Sequence, residues 1–132
     1  MYLLDTNILI YAQKKRSPIV LSNIKTKDPS VLFVSIFSVA EMIFGCKKSL
    51  QPTQNHRALL EFLLPFSILN FEQEDCDKYG EIRYFLESNG TPIGTIDTFI
   101  GSMAVARDMT VVTNNVREFE RIPGIKIENW MV

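Results

Sequence analysis

Four polar residues that lie far apart in the sequence are the candidates for chemistry: Asp5, Glu41, Asp97 and Asn115. Asp5 follows the apolar run Met1–Leu4, which predicts a short buried strand. Asn115 follows a similar run, and Glu41 and Asp97 lie in the first turns of predicted helices. Where parallel strands end and helices begin, ligands bind at one edge of the sheet. We therefore expect the four side chains to meet at that edge.

Three carboxylates within a few ångströms of one another repel, and they stay ionised together only when a cation compensates their charge. Oxygen ligands suit a hard ion such as Mg²⁺ or Mn²⁺. Such an ion polarises a phosphodiester, lowers the pKa of a water that it binds and stabilises the leaving oxygen. Because the chain has one histidine, His56, and two widely spaced cysteines, Cys46 and Cys76, no zinc site is predicted.

Each candidate also has a purely structural interpretation. Asp5 could cap the helix that follows it, and Ser38-x-x-Glu41 matches a capping box. Asp97 could be a first-turn acid that interacts with the helix dipole, and Asn115 is a common turn residue. The placement of all four at one edge of the sheet favours a shared site over four unrelated roles.

The elements that must position these residues alternate between strands and helices. Predicted strands cover Met1–Leu4, Val31–Ser35, Ser67–Asn70, Thr110–Thr113 and Ile125–Ile127. Predicted helices cover 6–14, 18–25, 38–50, 53–64, 72–89, 96–107 and 116–121, with Ser17 as the N-cap of the second. Apolar strands that alternate with helices indicate an α/β fold, with a parallel sheet of four to five strands covered by helices on both faces.

The composition excludes several other classes of protein. The chain has 132 residues, of which 46% are hydrophobic and 22% are charged, and its net charge is −1. This length predicts a single domain, residues 1–132, with a substantial core. The chain lacks a membrane-length apolar run and a basic secretory leader, which predicts a cytoplasmic location. Cys46 and Cys76 are interpreted as core thiols, and His56 as a surface residue.

Four segments, in order along nearly the whole chain, resemble the motifs of one family. They are Leu3–Asn7, Ser38–Gly45, Thr91–Asp97 and Val112–Phe119. Each segment alone is a weak signal, but the ordered set resembles the PIN domain and, more narrowly, the VapC-type toxins of bacterial toxin–antitoxin pairs. The resemblance implies a three-layer sandwich built on a parallel sheet.

The resemblance also implies roles for individual residues. Asp5, Glu41 and Asp97 match the family's three acidic metal ligands, and Asn115 occupies the place of a fourth catalytic acid. With asparagine there, the site has one negative charge fewer. Residues that match supporting polar positions around the metal are Thr6, Asn7 and Thr113.

The activity implied by the resemblance is endoribonuclease cleavage of structured RNA, such as a tRNA anticodon loop or a ribosomal RNA loop, with Mg²⁺ or Mn²⁺. The implied partner is a VapB-type antitoxin that fills the groove and binds operator DNA. The toxin itself is expected to form a homodimer and, with the antitoxin, a higher hetero-oligomer. Basic residues that could contact RNA or antitoxin are Lys14, Lys15, Arg16, Arg117 and Arg121. Lys47 and Lys48 are interpreted as a solvated face.

Two other functions compete with this interpretation. A phosphoaspartate protein, either a haloacid-dehalogenase-like phosphatase or a receiver domain, could also place Asp5 after its first strand. The phosphatase pattern requires Asp-x-Asp, and this chain has Asn7 at the second position. The other alternative is a PIN-like scaffold that binds RNA or protein without cutting, and metal binding would distinguish it from the enzyme.

Overall fold

Five short parallel strands form one sheet at the centre of the computed structural model, which describes residues 1–132. The strands are β1 (Tyr2–Leu4), β2 (Leu32–Ser35), β3 (Ser67–Leu69), β4 (Thr110–Val112) and β5 (Lys126–Glu128). Their order in the sheet is β3-β2-β1-β4-β5. In this register Leu4 pairs with Val34 on β2 and with Val112 on β4. The residues that follow the three central strands therefore lie side by side.

Seven α-helices connect and cover the strands. They are α1 (Thr6–Gln13), α2 (Pro18–Thr26), α3 (Ile36–Lys47), α4 (Pro52–Leu63), α5 (Gln73–Ser88), α6 (Thr95–Ala106) and α7 (Val116–Phe119), and a 3-10 turn, Pro29–Val31, precedes β2. The helices lie close to the predicted ranges. None of them is both long enough and apolar enough to cross a membrane.

Two hydrophobic clusters, one on each face of the sheet, make the fold a three-layer sandwich. Alternate residues of a strand point to opposite faces, so Leu4 joins the cluster beneath α1 to α4, while Leu3 joins the cluster beneath α5 to α7. Both leucines are completely buried. The predicted α/β sandwich is confirmed, and the strands are apolar because both faces are covered.

Helix α3 begins earlier than predicted. Its N-cap is Ser35, whose hydroxyl oxygen accepts the backbone N–H of Ser38 at 3.0 Å. Ser38 is therefore inside the helix, and the capping-box interpretation of Ser38 and Glu41 is wrong. Glu41 lies in the second turn rather than the first. The strand ends directly in a capping serine, so no loop separates β2 from α3.

Three side chains outside the main motifs differ in their burial. Cys76 is exposed and Cys46 is half-buried, so the prediction of two core thiols is wrong for Cys76. His56 is half-buried on α4 rather than fully at the surface. Trp130, which the sequence did not assign, is 4% exposed and packs edge-on against Tyr2 with ring centroids 5.1 Å apart.

Candidate active site

Asp5 sits where β1 ends and α1 begins, and it is 5% exposed. Its Oδ1 accepts the backbone N–H of Thr6 at 2.8 Å, as a helix cap would. Its Oδ2 accepts the hydroxyl of Thr113 at 2.8 Å, from the end of neighbouring β4. Burial raises the pKa of Asp5, the two hydrogen bonds oppose that rise, and the charge of Glu41 adds to it. Capping of α1 does not explain the second of these hydrogen bonds, which comes from the end of a neighbouring strand.

Glu41 reaches the site from α3. Its carboxylate accepts the hydroxyl of Thr6 at 2.7 Å. Thr6 thus joins two acids, because its backbone N–H binds Asp5 and its hydroxyl binds Glu41. The Glu41 side chain is exposed, so it remains accessible to a ligand in solution.

Asp97 lies in the first turn of α6, as predicted. The helix follows a left-handed Gly90 (φ 68°) at the end of α5 and is preceded at its N-cap by Gly94, which has no side chain to cap it. Burial, followed by the charges of Asp5 and Glu118, raises the pKa of Asp97 to about 7. An acid this strongly perturbed, inside a groove with other acids, is typical of a functional site.

The side chain of Asn115 binds two carboxylates, so Asn115 is more than a turn residue. Its side-chain amide donates to Asp97 Oδ2 at 3.2 Å and to Glu118 Oε2 at 2.9 Å. Its backbone N–H donates to the Thr113 hydroxyl at 2.9 Å. Glu118, which sequence reasoning missed, supplies a fourth acid beside Asp97. The signal was the spacing Asn115-x-x-Glu118, since residues three apart are neighbours on a helix.

A groove of about 750 Å³ connects these groups. Residues predicted for the site that line it are Asp5, Thr6, Asn7, Lys14, Glu41, Asp97 and Asn115. Thr113 lies completely buried beneath it and acts on the groove through Asp5 and Asn115. The groove continues between α1, α3 and α4, where Phe44 and Lys48 form part of its wall.

The other predicted basic residues lie outside the groove. Lys15, Arg16, Arg117 and Arg121 are exposed and do not line it. Arg121 donates instead to the backbone carbonyl of Pro92 at 3.1 Å, which ties the loop before α6 to the end of α7. Lys48, interpreted from the sequence as part of a solvated face, lines the groove, and its Nζ lies 5.0 Å from the centroid of the Phe44 ring.

The donor set of the groove fits a hard divalent cation. Its charged ligands are carboxylate oxygens, and burial together with neighbouring negative charge raises the pKa values of Asp5 and Asp97. No three acidic, histidine or cysteine side chains are close enough to form a finished metal-ligand cluster. The groove therefore places several carboxylates near one another, but they do not form a complete set of metal ligands.

The comparisons with known proteins decide the family. The sequence matches the family model of the PIN domain over residues 2–125. The chain belongs to the PIN-domain family. This PIN domain is 39% identical over 132 residues to "Ribonuclease VapC2" of Rickettsia felis, with 98% of each chain covered. It is 36% identical over 129 residues to "tRNA(fMet)-specific endonuclease VapC" of Salmonella typhimurium, with 98% of this chain and 97% of the relative covered.

A solved structure agrees with these matches. The structure of VapBC2 from Rickettsia felis bound to a DNA fragment from its promoter superimposes with a TM-score of 0.91, at 38% identity and with 98% of each chain covered. The predicted membership of the PIN family, the similarity to VapC ribonucleases and the nuclease class are confirmed. The phosphoaspartate alternative is therefore excluded, and PIN-domain ribonucleases are in general metal-dependent.

Proposed function

We propose that this PIN domain is an endoribonuclease that depends on Mg²⁺, with Mn²⁺ as a substitute, and cleaves a loop of structured RNA. The convergence of Asp5, Glu41 and Asp97 on one groove carries the proposal. Glu41 repels Asp5 and Asp5 repels Asp97, and a bound cation would compensate for this repulsion. The tRNA(fMet) named for the Salmonella typhimurium relative makes a tRNA anticodon loop the first substrate to test, ahead of a ribosomal RNA loop.

Asp5 and Asp97 would hold the ion directly, and Glu41 would hold it directly or through a water. When bound, the ion supplies Lewis-acid polarisation of the scissile phosphate and a lower pKa for the attacking water. Thr113 donates to Asp5 and thereby fixes the direction of its carboxylate. Asn115 does the same for Asp97 and Glu118. One oxygen of Glu41 accepts the Thr6 hydroxyl, which leaves the other free to orient a water and accept its proton.

The groove beyond the acids is suited to a nucleic-acid strand. Lys14 and Lys48 supply positive charge along its wall, and Phe44, 64% exposed, offers an aromatic face three residues after Glu41 on the same helix. Phosphates bind lysines, and unpaired bases stack on aromatic rings. These groups would carry an RNA loop past the acidic end of the groove.

Replacing Lys14 or Lys48 with alanine should weaken RNA binding several-fold. Each lysine that contacts a phosphate of a single strand contributes about 0.7 to the slope of log affinity against log salt concentration, and the variant should lose that contribution. The measurement is fluorescence anisotropy of a labelled tRNA anticodon stem–loop, made in an Asp97→Asn background to prevent cleavage. Lys25→Ala, an exposed change on α2 outside the groove, is the control. Equal slopes for all variants would exclude both lysines as phosphate ligands.

We further propose that residues 1–132 form one cytoplasmic toxin domain whose partner is a VapB-type antitoxin. In its solved structure, VapBC2 from Rickettsia felis is bound to a DNA fragment from its promoter. This supports an antitoxin as the DNA-binding partner of the present chain. The antitoxin would fill the groove, and DNA contact would occur only through it. A homodimer of the toxin is part of the same proposal.

The proposal is tested by incubating the purified protein with total bacterial RNA and Mg²⁺ and mapping the ends of the products. The controls are EDTA and Asp97→Asn. We expect discrete cuts within one RNA loop that disappear in both controls. A folded protein that neither cuts RNA nor binds Mn²⁺ would contradict the proposal and favour the non-catalytic scaffold.

A further inference from the structure

Three hydroxyl groups connect the end of β2 to Glu41. The Ser35 hydroxyl lies 3.3 Å from the Ser38 hydroxyl, which lies 2.8 Å from the hydroxyl of Thr6, and Thr6 donates to Glu41 at 2.7 Å. Ser35 and Ser38 are completely buried, and Thr6 is 9% exposed. We call Ser35, Ser38 and Thr6 the hydroxyl chain.

The direction of the hydroxyl chain follows from counting protons. Each hydroxyl has one hydrogen to donate. Thr6 uses its hydrogen on the carboxylate of Glu41, so Ser38 must be the donor to Thr6. Ser38 in turn accepts from Ser35, whose oxygen also receives the backbone N–H of Ser38. Every hydrogen in the chain therefore points toward Glu41.

The bond between Ser38 and Thr6 joins two helices, whereas the hydroxyls of Thr98 and Ser102 bond within their own segment. A serine or threonine in a helix usually satisfies its hydroxyl on the carbonyl four residues earlier. Ser102 does so with Thr98 at 2.6 Å, and Thr98 does so with Gly94 at 2.8 Å. Ser38 donates across to α1 instead. The residue four positions before Ser38 is Val34, which lies in β2 outside the helix, so the hydroxyl of Ser38 bonds to Thr6 rather than within α3.

We infer that Ser38 is a positioning residue that acts through Thr6 to hold the Glu41 carboxylate toward Asp5 for the divalent cation. The inference rests on the proposed function. Glu41 is exposed, its long side chain loses rotamer freedom when it is held in one direction, and the charge of Asp5 repels it. With Ser38 donating to it, the Thr6 hydroxyl keeps its own hydrogen for Glu41, and this hydrogen bond opposes both effects. The cation then meets a carboxylate that is already oriented.

Ser38→Ala should therefore weaken Mn²⁺ binding about tenfold, the lower end of what loss of a group that orients a metal ligand costs. Isothermal titration calorimetry of the full chain with Mn²⁺ measures this directly. Raising the Mn²⁺ concentration should restore the kcat for RNA cleavage, since the ligands themselves are intact. Ser102→Ala removes a hydroxyl that is equally buried and lies in a helix, but it should leave Mn²⁺ affinity unchanged.

A double-mutant cycle separates this role from a merely structural one. Thr6→Val removes the hydroxyl that connects Ser38 to Glu41 at almost the same volume. If Ser38 acts through Thr6, adding Ser38→Ala to Thr6→Val changes Mn²⁺ affinity no further. Additive losses, an unchanged affinity in Ser38→Ala, or an equal loss in Ser102→Ala would overturn the inference. A wild-type protein that binds no Mn²⁺ would instead refute the proposed function, and the inference with it.

Discussion

Asp97→Asn and Asp5→Asn should each lower RNA cleavage by about three orders of magnitude or more, because each removes a charged ligand from the proposed metal site. Both variants should still fold. Asparagine caps a helix about as well as aspartate, so position 5 keeps its bond to the Thr6 amide. The measurement is the single-turnover rate on the mapped RNA, together with circular dichroism of each variant.

Asp77→Asn is the matched control for this loss. Asp77 is exposed on α5 and does not line the groove, so the same chemical change there should leave the cleavage rate unchanged. An Asp97→Asn variant that keeps more than a tenth of the wild-type rate would contradict the assignment. So would a loss of cleavage that only accompanies unfolding.

The second large effect concerns the relative stability of the wild type and Asp97→Asn, which we expect Mn²⁺ to reverse. In the folded metal-free protein, burial and the charges of Asp5 and Glu118 raise the pKa of Asp97 to about 7, whereas the unfolded chain has its ordinary value near 3.8. Between these values the folded state retains a proton that the unfolded state has lost. Stability therefore falls as the pH rises from about 4 to about 7, and the penalty persists above pH 7.

Asp97→Asn removes that penalty. Because Asp97 is only half-buried, solvent screens part of the repulsion, and we expect a gain of about 1 kcal/mol at pH 8 that disappears at pH 4. With Mn²⁺ at 100 times its Kd, the wild type should gain about 2.7 kcal/mol, and the variant should gain little. The order of stability of the two proteins then inverts. Urea unfolding at both pH values, with and without Mn²⁺, tests this.

Two outcomes of those unfolding curves would contradict the account. A variant less stable than wild type in EDTA at pH 8 would mean that burial and neighbouring charges do not penalise the ionised Asp97 in the folded state. Equal stabilisation of both proteins by Mn²⁺ would place the ion somewhere other than beside Asp97.

The fold was largely predictable because its signals are local. Short apolar strands between helices with clear ends predict a covered parallel sheet, and Ser17-Pro18 and Asn89-Gly90 begin and end their helices as expected. The error at α3 has a physical cause. Ser35 and Ser38 are both good caps, and only the sheet, which ends β2 at Ser35, decides between them.

The grouping of side chains in the groove was predictable where a residue directly follows a strand or opens a helix. Asp5, Asp97 and Asn115 are of this kind. Ser38 was seen only as half of a capping box, because its partner Thr6 is 32 positions away in the sequence. Lys48 was assigned to solvent for a similar reason: its place on the groove wall depends on how α3 packs against α1 and α4.

Joint binding of one divalent cation by Asp5, Glu41 and Asp97 is the claim that crystals grown with Mn²⁺ would test. We expect an anomalous difference peak in the groove, with carboxylate oxygens of Asp5 and Asp97 as its ligands and Glu41 in direct or water-mediated contact. The peak should be absent in Asp97→Asn crystals grown in the same way. At saturating Mn²⁺, no peak beside these carboxylates, or a peak that persists unchanged in the variant, would contradict the claim.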